Sequence, residues 1–131
     1  MAAAFAASVS LAAADVQREI RFARGASSAT VAGAVVRGDR DIYPVKANAG
    51  QTMRVRITAI ENNAAFEIYR PGARYRRDQD GYEVMGSTLK GAGQTDDAKQ
   101  WSGTLPATGT YLIVVGGTRG NAGYRMTVSI R

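Results

Sequence analysis

Cysteine and histidine are both missing from the 131 residues. Without cysteine the chain has neither disulfides nor thiolate chemistry, so its stability rests on burying apolar surface. Without histidine it lacks the commonest general base at neutral pH and the commonest metal ligand. Ser27-Ser28 and Ser102-Gly103 therefore have no imidazole to activate a hydroxyl in the usual hydrolase manner. Acids occur in pairs, Asp39 with Asp41, Asp78 with Asp80 and Asp96 with Asp97, but in turn contexts that cap or solubilise. A calcium loop needs more acids at alternating spacing and a terminal glutamate. The expectation is a binding protein that is not an enzyme, with no cofactor and no metal site.

Charge is also scarce at the start. Met1 to Ala14 is uncharged and alanine-rich, like the apolar region of a secretory leader, and Ala12-Ala13-Ala14 supplies the small residues that cleavage needs. Residues 1–14 are expected to be a signal peptide and residues 15–131 a single exported domain. The basic segment that normally opens a leader is missing. Two alternatives stay open: initiation upstream of Met1, or a buried helix or anchor, although the stretch falls short of the ~20 apolar residues that span a bilayer.

What is abundant is positive charge. Lys and Arg number 17 against 11 Asp and Glu, a formal net charge of +6. Such a surface favours acidic partners, and anionic lipid, cell-wall polymer, nucleic acid and an acidic protein cleft all qualify.

From Asp15 onward the apolar pattern has period two, which a strand requires when successive side chains point to opposite faces. In Gln51-Thr-Met-Arg-Val-Arg-Ile-Thr-Ala-Ile60 the spacing turns Met53, Val55 and Ile57 inward and Arg54, Arg56 and Thr58 outward. The same reading predicts strands over Glu19 to Phe22, Ala29 to Val36, Asp41 to Ala47, Ala65 to Tyr69, Tyr82 to Met85, Lys99 to Leu105, Tyr111 to Val115 and Tyr124 to Ile130. Turn residues punctuate them, among them Arg37-Gly38-Asp39, Asn48-Ala49-Gly50, Glu61-Asn62-Asn63 and Ala107-Thr108-Gly109. Arg74 to Gly81 and Leu89 to Ala98 read as surface loops. Many short strands without a helix imply an all-β fold, an antiparallel β-sandwich of about eight short strands.

Two resemblances follow from Arg21 onward. Asp41-Ile-Tyr-Pro-Val-Lys-Ala47, Ala49-Gly-Gln-Thr-Met-Arg-Val-Arg-Ile57 and Leu105-Pro-Ala-Thr-Gly-Thr-Tyr-Leu-Ile-Val-Val115 resemble bacterial pre-peptidase C-terminal β-sandwich domains. Ile20-Arg-Phe-Ala-Arg-Gly-Ala-Ser-Ser-Ala29 and the late loop Thr118-Arg-Gly-Asn121 are similar to periplasmic inhibitors of goose-type (g-type) lysozyme. The second resemblance implies a periplasmic or otherwise exported inhibitor whose partner is a lysozyme. Its loop residues would enter the peptidoglycan cleft and block hydrolysis, with no nucleic acid bound, no membrane insertion once the leader is gone, and a monomeric or weakly dimeric state. Carried across, the contacts fall on Tyr43, on Thr108 where the family tends to have serine, on Arg119, and on Asn121 in the same loop. The first resemblance implies the alternative, an accessory sandwich that binds cell-wall glycan or a partner protein.

Read from the residues alone, each candidate has a structural reading beside the functional one. Arg119, between glycines in a turn, can offer a guanidinium to paired carboxylates, or be a solvated hairpin arginine. The glycines around it do not make a nucleotide cradle, because Tyr124 to Ile130 alternates like a strand where that fingerprint needs a helix. Pro44 marks Tyr43 as belonging to an edge strand or bulge, with a ring expected to be partly exposed. The basic run Arg70 to Arg77 is partly neutralised by Asp78 and Asp80, and reads as a solvated or partner-steering loop. Trp101 alternates with Gly103 and Leu105 and is expected in the core rather than on a sugar platform.

Overall fold

The computed structural model describes residues 17–36 and 38–131. The expected leader, the mature start at Asp15, and Arg37 of the first turn lie outside them.

Among the described residues nine strands follow one another: β1 (Ser28–Val35), β2 (Arg40–Ala47), β3 (Thr52–Ala59), β4 (Ala64–Tyr69), β5 (Arg74–Asp78), β6 (Gly81–Met85), β7 (Gln100–Thr104), β8 (Gly109–Gly117) and β9 (Ala122–Ile130). Antiparallel pairing builds one sheet in the order β1-β9-β3-β7 and a second in the order β2-β8-β4, with β5-β6 as a separate hairpin. The all-β sandwich expected from the alternation is the fold observed. In β3 the alternation works residue by residue: Met53, Val55 and Ile57 are buried while Arg54, Arg56 and Thr58 are exposed. They meet Tyr43, Phe66 and Ile113 of the facing sheet in one core cluster. Burying each such side chain contributes about 1.5–3 kcal/mol before ordering costs.

β8 breaks the alternation, because Tyr111 to Val115 are all buried. It is the central strand of its sheet, and the outward side chains Leu112 and Val114 are covered as well. The cover is the β5-β6 hairpin, whose Val84, with Tyr75 and Tyr82, packs on Ile42, Tyr69, Leu112 and Val114. Arg74 to Gly81 is therefore not the loop that its charge suggested. Three arginines hide a strand that presents Tyr75 inward, edge-on to Tyr82 at 5.7 Å between ring centroids. The basic run is engaged internally, with Arg76 paired to Glu83 at 2.9 Å and Arg77 over the Tyr82 ring.

Two further expectations change. Leu89 to Ala98 lacks a strand but is not a plain surface loop, because Leu89, Ala92 and Ala98 are buried in the core. It runs along the free side of β4, whose Phe66 and Ile68 N–H groups donate to Ala98 and Ala92 at 3.0 Å each. The predicted strand Glu19 to Phe22 reduces to isolated parallel bridges, Gln17 with Ile42 and Ile20 with Val45. That segment lies along the edge of β2 marked by Pro44, and Ile20 N–H donates to the Pro44 carbonyl at 2.8 Å. Pro44 has no N–H to give, so the edge is the place for it.

Candidate functional site

The register of β8 decides which candidates can act together. Gly109 pairs with Ala47 at one end of β2, and Gly116 with Arg40 at the other. At ~3.3 Å per residue the strand separates the Thr108 turn from the Thr118 turn by roughly 26 Å. Thr108 and Arg119, eleven positions apart in sequence, stand at opposite ends of the sandwich, so Thr108 does not flank Arg119 in one inserted tip.

The Thr108 end is fastened. The Thr108 hydroxyl accepts from Ala49 N–H at 2.9 Å, and the Gln51 side chain accepts from Asn48 N–H at 2.7 Å. The Tyr111 hydroxyl donates to the Ala107 carbonyl at 2.6 Å and receives Ala107 N–H at 3.2 Å. Polar groups here are largely satisfied by one another.

The Arg119 end is built differently. The tip between β8 and β9 turns at Gly120, where φ is +62° and a side chain would be strained. Thr118 N–H donates to the Asn63 carbonyl at 2.7 Å, tying the tip to the β3-β4 connection, a 3-10 turn over Ile60–Asn62. Arg119 and Asn121 are both exposed. The Arg119 guanidinium reaches the Glu61 carbonyl only at 3.5 Å, too long to hold the side chain down. Beside it Lys99 donates to the carbonyls of Asn62 and Ala64 at 2.8 and 2.7 Å. Burial lowers the pKa of that ammonium by removing water, Asp97 opposes the shift, and the positive charge of Arg119 adds to it.

Strain collects at this end. Among the described residues the non-glycine positions with positive φ are Glu61, Asn62 and Asp97, at 55°, 59° and 46°. The Oδ1 of Asn63 is buried without a hydrogen-bond partner among the described residues. Such groups cost about 1–3 kcal/mol each and tend to cluster where function requires them. Two of the exposed large apolar residues, Ile60 at 76% and Val36 at 40%, flank the same tip. Neither was singled out from sequence, since Ile60 read as the end of a strand and Glu61-Asn62-Asn63 only as a turn.

Tyr43 lies beneath this end and is fully buried. The expected surface contact does not stand: odd positions of β2 face the core, and the edge marked by Pro44 concerns the backbone, not this ring. Its hydroxyl lies 2.6 Å from that of Tyr124, which donates to Asp41 at 2.5 Å. Gly33 makes room, since a Cβ there would come within 2.7 Å of the Tyr124 hydroxyl. Burial, then the neighbouring Tyr43 and Asp41, push the Tyr124 pKa far up. Burial also raises that of Tyr43, against the hydrogen bond with Tyr124. Trp101 packs partly buried against the core, as expected, and donates its indole N–H to the Lys90 carbonyl at 2.8 Å.

Among solved structures the chain is similar to PliG of Aeromonas hydrophila, a periplasmic lysozyme inhibitor of g-type lysozyme. The two are 31% identical over 90% of this chain and 98% of that one, with a TM-score of 0.70. This chain belongs to the family of periplasmic g-type lysozyme inhibitors. Salmonella Typhimurium PliG, at 24% identity over 88% of this chain and 98% of that one, shares the fold with a TM-score of 0.61. So does the pre-peptidase C-terminal domain of Bacillus anthracis collagenase, at 14% identity over 91% of this chain and 100% of that one and a TM-score of 0.50. No family model and no curated protein sequence matches. Like the g-type inhibitors the chain is periplasmic or otherwise exported, and it is not an enzyme.

Proposed function

We propose that the chain inhibits a g-type lysozyme by presenting its Arg119 end to the substrate cleft. The observation that supports this most is an exposed guanidinium on a tip surrounded by strained backbone and exposed apolar side chains, in a member of an inhibitor family. Glycosidase clefts carry acid and base carboxylates, and a guanidinium can make two parallel charge-assisted bonds to one of them. Arg119 takes that role. Asn121 adds an amide on the same tip, and Ile60 supplies apolar area that excludes water around the ion pair. Thr108 and Tyr43 act elsewhere, the first fastening the opposite turns and the second supporting the tip from the core.

The test is inhibition of goose-, chicken- and invertebrate-type lysozymes side by side. Near-stoichiometric loss of turnover is expected with the goose type. Activity of all three unaffected by excess protein would overturn the reading and favour an accessory sandwich.

A further inference from the structure

The strands β1, β3, β7 and β9 that form the four-stranded sheet contain no acidic residue at all. Their cations are Arg54, Arg56 and Arg125, and all three are exposed on the outer face. Across the β3-β9 pair Arg54 faces Ser129, Arg56 faces Thr127, and Arg125 faces Thr58. With ~6.8 Å between alternate residues and ~4.8 Å between strands, Arg54 and Arg56 follow one another along β3 and Arg125 stands diagonally beyond them on β9, at steps of roughly 7–8 Å. None of the three makes an ion pair or a side-chain hydrogen bond among the described residues.

Around the arginines the face is hydroxyl and amide, and toward the end of β1 it passes to Ala32, Ala34 and Gly123. Thr30 and Thr127 are in hydrogen-bond contact at 3.0 Å. A shallow depression of about 660 Å³ is bordered by Arg54, Arg56, Gln100, Ser102, Thr127 and Ser129, with the edge of Trp101. We infer that this face binds an anionic polysaccharide, a glycan with carboxylate or phosphate groups along its chain. Guanidinium groups match either anion bidentately, while Ser, Thr and Gln side chains exchange hydrogen bonds with sugar hydroxyls. Single-stranded nucleic acid fits less well, because among the described residues Trp101 is the one ring bordering the depression and stacking needs a series. An anionic bilayer also fits less well. Among the described residues the exposed large apolar side chains, Val36, Ile60 and Met85, lie outside the strands of this face, so these strands offer no such side chain to insert.

The inference does not rest on lysozyme inhibition and is tested without lysozyme. The full chain is run by affinity electrophoresis through gels containing polygalacturonate or phosphomannan, with dextran as the uncharged blank. Poly-dT and phosphatidylglycerol vesicles serve as competitors. Retardation by at least one anionic glycan is expected, weakening as salt screens the arginines. The triple variant Arg54→Gln/Arg56→Gln/Arg125→Gln should bind at least ten-fold more weakly with an unchanged melting temperature. The equal-charge variant Arg74→Gln/Arg76→Gln/Arg77→Gln should stay within two-fold. Should the triple variant fold poorly, Arg56→Gln alone is expected to lose two- to three-fold. No retardation by either glycan, equal losses in the two triple variants, or tighter binding of poly-dT or vesicles would overturn the inference.

Discussion

The two ends of this sandwich are joined by one strand and are built on opposite terms. At the Thr108 end, hydroxyl, amide and backbone groups close on one another, and the Tyr111 ring is wholly buried beneath the turn. At the Arg119 end the chain holds Glu61 and Asn62 in a left-handed conformation, leaves Asn63 Oδ1 without a partner among the described residues, and exposes Ile60 and Arg119. An end that served only to close the fold would satisfy its groups as the first does. On the reading proposed above, the second is the end where stability is given up for binding.

If the contrast is sound, truncations to alanine at the two ends have unequal effects. Tyr111→Ala should cost about 3–5 kcal/mol of stability, since it removes a buried aromatic and its turn bonds together. Ile60→Ala should change stability by less than about 0.5 kcal/mol, because most of that side chain is already in water. Urea titrations of both variants provide the measurement, and a large loss in Ile60→Ala would erase the distinction.

The polar chain under the Arg119 end provides a second probe. Tyr43 and Tyr124 have folded-state pKa values raised above the ordinary 10.0. For groups raised in this direction the contribution to stability is complete below pH 10 and is lost as pH rises toward the folded values. The slope is at most about 1.4 kcal/mol per pH unit for each tyrosine. Thermal melts should therefore be level up to about pH 10 and fall above it, and Tyr124→Phe should flatten the fall. A melt that rises above pH 10 would contradict the burial of these hydroxyls.

A smaller effect sharpens the claim of strain. Glu61→Gly removes the penalty of a left-handed non-glycine residue, and a gain of about 0.5–1 kcal/mol is expected after the added freedom of the unfolded chain is offset. The measurement is the same urea titration, with no gain meaning that Glu61 is not strained.

Much of the fold could be read from the residues because alternation is a local signal. Met53-Arg-Val-Arg-Ile57 declares its two faces without help, and the predicted Tyr111 to Val115 and Tyr124 to Ile130 lie within β8 and β9, which extend two residues further at each end of the first and at the start of the second. The β5 strand escaped because its outward positions carry arginine on both sides of the one inward tyrosine, so charge masked the period. The site was harder for a geometric reason. Thr108 and Arg119 are only eleven positions apart in sequence, but the segment between them is extended, and an extended strand carries its ends apart. Tyr43 was misread through Pro44, which reports on the backbone edge and not on where a ring points. Ile60, Glu61 and Asn62 gave no signal, since only the assembled fold places them beside the last turn.

The most direct measurement compares inhibition constants of Arg119→Ala and Thr108→Ala against one g-type lysozyme, each variant first shown to melt within a few degrees of the parent. Truncating an interface anchor removes about 2–4 kcal/mol of binding, so Arg119→Ala should weaken inhibition roughly 30- to 1000-fold while Thr108→Ala leaves it within about three-fold. Full inhibition by Arg119→Ala together with a collapse in Thr108→Ala would show that the fastened end, not the strained one, meets the enzyme.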